Sequence, residues 1–143
     1  MSATPTLNGQ VIGQAQYATR AVLDEFLARN DTTFHQWIAL NVTGLAGGSI
    51  GRDQLVRQMG TALRIEPATA AATCTELVDL GLLSPVHDDL RLTDRGNDRF
   101  SLIRDGITGI SDRLYGDLPA ADLESAGRIL ATVTERANAA LAD

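Results

Sequence analysis

Residues 66–96 read EPATAAATCTELVDLGLLSPVHDDLRLTDRG, and this stretch decides the fold. Glu66-Pro67 is a helix start signal, because proline suits the first helical position, where its missing N–H has no partner to lose. The alanine-rich run that follows favours helix. It is expected to continue to about Leu80, where Gly81 supplies the C-terminal stop. Leu82–Val86 and Leu90–Leu92 flank His87-Asp88-Asp89 and can pair as a small hairpin, in which Pro85 fits only an edge or non-bonded position. Thr93-Asp94 then caps another helix.

Working outward toward the N-terminus, Gly60–Ile65 connects this stretch to a short helix predicted over Arg52–Met59, with Leu55, Val56 and Met59 facing inward. Ser49-Ile50 is a strand stub. Gly44, Gly47 and Gly48 end a second helix expected from Thr33 to about Val42, capped by Asp31 or Thr32 and burying Phe34, Trp37, Ile38 and Val42. A first helix spans about Asn8 to Ala28, because Ile12, Ala15, Thr19, Val22 and Phe26 recur at helical spacing. Toward the C-terminus, Phe100, Ile103, Ile107, Ile110 and Leu114 form a seam long enough to face another helix. Gly106 and Gly109 within it each cost roughly 1 kcal/mol relative to alanine where exposed, and permit close helix approach. Gly116 and Pro119 break the chain, and a last helix from Ala120 carries Leu123, Ile129, Leu130, Val133, Ala137 and Leu141 on its apolar side. The class is therefore mainly α: a helix-turn-helix followed by a hairpin wing, with long helices at both ends.

The 143 residues suffice for one ordinary domain, and the 44% hydrophobic content for a core. No apolar run approaches the length that crosses a bilayer, so no membrane association is expected. The opening MSATPTLNGQ has no basic residue and no apolar core, so it is not read as a secretory signal, and a cytoplasmic protein is the default. Arginine supplies all 12 basic residues against 18 acids, for a net charge of −6. That sign opposes a phosphate-gripping role unless arginines gather locally. From Arg52 to Arg99 there are six arginines and eight acids, so the central stretch is not basic either.

The central stretch resembles the MarR family of ligand-responsive transcriptional regulators at several joined points. FHQWIALNVTG is similar to the family's second helix, and SIGRDQLVRQMG to the helix before the recognition helix. EPATAAATCTELVDLGLL resembles the recognition helix and its exit, through Leu77, Gly81 and Leu82. LRLTDRG resembles the last wing strand with the Leu-Thr-Asp-x-Gly start of the next helix, and LPAADLESAGRIL resembles the terminal helix. The likeness runs from about Gly9 to Leu141. It implies one domain over 1–143, with a winged-helix lobe at about 33–93 and dimerisation helices at about 8–28 and 94–141. It also implies a homodimer that reads a DNA palindrome, and a cleft for a small aromatic effector. The residues independently point to the interface, because the end helices carry more apolar surface than one subunit needs.

The family pattern is broken twice. Where a serine or threonine and then an arginine usually stand, this chain has Ala71 and Ala72, and alanine cannot read guanine by paired hydrogen bonds. The wing is short, Ser84 to Arg91, with an acidic tip at Asp88-Asp89. The candidate DNA contacts are therefore Arg64, Thr69, Thr73, Arg91, Arg52, Arg57 and Ala68. Arg64 reads equally as a phosphate contact or a solvated side chain, and Arg91 as a DNA contact or a partner of Asp88 or Asp89. Arg52 and Arg57 read more simply as solvated or paired with Asp53, and Arg95 and Arg99 as pairing within the lobe. Trp37, Tyr17, Phe34, Arg20 and His35 are the candidate effector contacts, with Trp37 otherwise a core residue. Cys74, which shares a face with Ala70 and Leu77, reads as buried core. Two distant histidines make no metal site, and neither a nucleophile elbow nor a phosphate loop supports an enzyme or a cofactor. The expected function is a DNA-binding regulator, most simply a repressor. The alternative is a protein-interaction or small-molecule-sensing module that keeps the fold without reading DNA.

Overall fold

Three of the helices begin where a side chain accepts from their free amides. The computed structural model describes residues 4–142; the first three residues of the MSATPTLNGQ stretch, and Asp143, lie outside them. Helix α1 (Gly9–Arg29) is capped by Asn8, whose side chain accepts from the Val11 amide at 2.9 Å. Helix α2 (Phe34–Leu45) starts on a reciprocal capping box: Thr33 Oγ1 accepts from the Gln36 amide, and Gln36 Oε1 accepts from the Thr33 amide, each at 3.1 Å. The cap is therefore Thr33, not Asp31 or Thr32. Asp31 is instead the left-handed turn residue, at φ 52°, and Thr32 is buried, accepting from Arg99 Nη1 at 3.0 Å.

Strand β1 (Ser49–Gly51) leads into α3 (Arg52–Leu63), which runs one turn further than expected, through Gly60. Gly60 does not stop the helix; Arg64 does, in the left-handed conformation at φ 53° and ψ 48°. Glu66 must then be extended because proline follows it, and it sits at φ −68° and ψ 148° ahead of α4 (Pro67–Asp79). Gly81, at φ 76°, ends that helix as predicted.

Strands β2 (Leu83–Val86) and β3 (Asp89–Leu92) pair antiparallel across a two-residue turn, His87-Asp88, one residue shorter than expected because Asp89 pairs with Val86. β1 adds on the other side, giving the order β1-β3-β2. Pro85 thus lies on an edge strand, where its missing amide costs no ladder bond. Side chains alternate across the sheet: Leu90, opposite Ile50 and Pro85, turns to the core, while Arg91, opposite Ser49 and Ser84, stands exposed on the other face.

Helix α5 (Asp94–Tyr115) opens on a turn built by Thr93. Its amide donates to the Leu82 carbonyl at 3.1 Å, its hydroxyl donates to the Gly81 carbonyl at 2.6 Å, and the same oxygen accepts from the Gly96 amide at 3.0 Å. Helix α6 (Ala120–Ala142) closes the chain. The chain divides into two units, Met1–Ile107 and Thr108–Asp143, the division falling within α5. The first unit holds a continuous core that includes Leu27, Leu40, Leu55, Met59, Leu77, Leu83, Leu90 and Ile103. Each fully buried leucine or isoleucine there contributes about 1.5–3 kcal/mol of transfer free energy. In the second unit no residue of α6 is buried.

Candidate nucleic-acid interface

Helix α4 has two faces with different work. Ala70, Thr73, Cys74 and Leu77 are buried against the core. The opposite stripe, Ala68, Ala72, Thr75 and Asp79, lies at helical spacing and is exposed, as is Thr69 beside it. Thr73 is therefore withdrawn from the expected contacts. It is only 4% exposed and its hydroxyl donates to the Thr69 carbonyl at 3.2 Å, so it can reach no base. In its place the fold presents Thr75, which sequence reading passed over although it stands seven residues after Ala68, on the same stripe.

The rest of α4's surroundings hold it in place. Gln36 Nε2 donates to Glu76 Oε2 at 3.0 Å, tying α2 to α4. Arg95 Nη1 donates to the Leu80 carbonyl at 3.1 Å, where the helix dipole presents its negative end. Arg52 is half-buried and extends Nη2 to Thr75 Oγ1 at 3.4 Å, while the Thr75 hydroxyl donates back to the Ala71 carbonyl at 3.2 Å. Burial pushes the Cys74 thiol above its ordinary range, opposed in part by the nearby charge of Arg52, so the sulfur is kept as an inert thiol inside the core.

The wing is an antiparallel hairpin joined to β1 along β3. The Arg52 amide donates to the Asp88 carbonyl at 2.9 Å, pinning the tip to the start of α3. A cleft of about 220 Å³ lies there, lined by Arg52, Asp53, Pro85, His87, Asp88 and Asp89 among others. Arg91 sits mid-strand and lines a groove of about 400 Å³ with Ser49, Thr93, Asp94 and Asn97. Arg57 is exposed on α3, and Arg64 is exposed in the turn between α3 and α4. The fold thus joins Arg52 to α4 and sets Arg91 between two serines on the sheet's outer face.

The five candidate effector residues do not converge in the same way. Trp37 is 5% exposed and stacks on Phe100 with ring centroids 5.9 Å apart, so it packs into the core. Tyr17 is 76% exposed. Arg20 and Phe34 do meet: the guanidinium lies 3.5 Å from the ring centroid while its Nε donates to Asp24 Oδ1 at 2.9 Å. His35, beside Phe34, is half-buried. Among the described residues no group of three or more His, Cys, Asp or Glu side chains could hold a metal ion, and no helix is long and apolar enough to cross a membrane.

No protein-family model matches the sequence, and no curated protein matches it significantly. Solved structures do match. A MarR-family transcriptional regulator from Silicibacter pomeroyi is 20% identical, with 91% of this chain and 88% of that one aligned at a TM-score of 0.74. NadR in complex with 4-hydroxyphenylacetate is 19% identical over 90% of this chain and 95% of that one, at 0.72. A mutant of MarR from E. coli complexed with operator DNA is 19% identical over 87% and 91%, at 0.71. At such identities the likeness is one of backbone architecture. The chain has the winged-helix fold of the MarR-family transcriptional regulators.

Proposed function

We propose that the chain is a non-enzymatic transcriptional regulator, a repressor, that binds palindromic duplex DNA as a homodimer. The observation that carries this reading is the bare outer stripe of α4, opposite its buried face, in a fold shared with a protein solved on operator DNA. In helix-turn-helix proteins that stripe enters the major groove, N-terminal end first. Arg91, Arg64 and Arg57 supply phosphate contacts, and Arg52 steadies Thr75 from behind. The pairing of two subunits is supported by α6, whose Leu123, Ile129, Leu130, Val133 and Leu141 stand exposed. A continuous apolar helix face of this length marks an interface, and a second copy offers the matching one. A small aromatic effector that releases DNA completes the reading, on the strength of the Arg20–Phe34 contact and of NadR, solved with such a molecule.

The test is a mobility shift with the duplex upstream of the chain's own gene at low ionic strength. Wild type is expected to shift it, and added phenolic acids to release it. Arg91→Ala is expected to weaken binding by about tenfold on every sequence and to lower the salt slope by about one per subunit. No shift at low salt, together with capture of a defined protein partner, would instead favour an interaction or sensing module that has lost DNA reading. The acidic wing tip and the lack of lysine, arginine, asparagine or glutamine on α4 are the features that would explain that outcome.

A further inference from the structure

We propose that α4 reads DNA through methyl groups, so that thymines in the major groove specify its half-site. The proposal rests on the DNA-binding function above and names what that function recognises.

A helix can distinguish bases by donors and acceptors or by apolar contact. Helix α4 contains no arginine, lysine, asparagine, glutamine or histidine, so the paired hydrogen bonds that read guanine or adenine have no source on it. Its two carboxylates are out of play. Glu76 is held by Gln36 at 3.0 Å, and Asp79 is the last helical residue, at the end away from the bases in this docking mode. The Thr75 hydroxyl gives its one hydrogen to the Ala71 carbonyl and accepts from Arg52, so it has no hydrogen to offer a base. Thr73 is buried. The stripe opposite the core, Ala68, Ala72 and Thr75, thus offers three methyl groups over about two turns. The one base feature in the major groove that rewards such a surface is the C5-methyl of thymine.

The experiment starts from duplexes enriched by the purified full chain from a random-sequence pool. Each thymine of the enriched half-site is replaced in turn by deoxyuridine, which removes only the C5-methyl; thymines outside the half-site serve as controls. Affinity is expected to fall by about three- to fivefold for each contacted methyl, the worth of one buried methyl group. The slope of affinity against salt should stay unchanged, since phosphate contacts are untouched. In Ala72→Gly the penalty at one thymine should vanish while those at the others remain. Each comparison is between two DNAs on the same protein, so a change in the variant's folding cancels. Equal affinity for thymine and uracil duplexes overturns the methyl proposal and leaves DNA binding standing. Enriched sites anchored on guanine do the same. Failure to enrich any duplex at low salt overturns both.

Discussion

Gly96→Ala is expected to cost about 3–5 kcal/mol, combining the upper range for overpacking with the loss of a helix cap. An added Cβ would lie 2.9 Å from the Leu82 carbonyl carbon and closer still to its oxygen. That oxygen cannot withdraw without breaking the bond it accepts from the Thr93 amide, and Thr93 in turn caps α5 through the Gly96 amide. The clash therefore falls on backbone that ties the exit of α4 to the start of α5. Domains of this kind are stable by only about 5–15 kcal/mol, so much of that reserve would go. Urea denaturation followed by circular dichroism measures it. Gly60→Ala is the control: its nearest neighbour, the Ile65 carbonyl, is 3.4 Å away, and the change should be neutral or stabilising by up to about 1 kcal/mol. Equal stability of Gly96→Ala and wild type would contradict the turn described here.

Gly106→Ala is expected to cost about 2–3 kcal/mol by overpacking against α1. The new methyl would overlap the Phe26 ring, lying 2.6 Å from Cε1 and nearer to Cζ. Phe26 is half-buried and packed against the core, so the ring can leave only by giving up that contact. Shortening the obstruction should restore room: Phe26→Leu in the Gly106→Ala background should be less harmful than in wild type, a coupling that a double-mutant cycle of unfolding energies reads directly. Additive costs would show that the two residues do not touch. Gly109, three residues on, meets nothing within 4 Å. Of the two glycines expected to allow close approach, only Gly106 is packed in that way.

These two glycines illustrate what a sequence discloses and what it does not. The helices were legible because periodic apolar positions and terminal signals agree: Glu66-Pro67 opens α4, Gly81 ends it and Thr93 caps α5. The end of α3 was not, because a glycine inside a helix reads as punctuation, whereas the actual stop is an arginine in a left-handed conformation that nothing in its composition announces. For α4 the phase was available: Ala70, Cys74 and Leu77 define the buried side, and Thr73 falls between them. Choosing it as a base contact followed residue type in place of helix phase, and the same oversight hid Thr75. Trp37 was ambiguous for another reason. Its partner Phe100 is distant in sequence and was visible only as part of a seam, so no local pattern could tell core from cleft. The bond from the Arg52 amide to the Asp88 carbonyl, which carries the β1–β3 ladder on to the wing tip, is a backbone contact that side-chain patterns do not encode.

In the proposed function two identical chains join through their end helices to hold one duplex. Sedimentation velocity of the purified chain, alone and mixed with an enriched duplex, reads this stoichiometry. A dimer is expected at micromolar concentration without DNA, and two chains on each duplex with it. A stable single chain under both conditions would rule the pairing out.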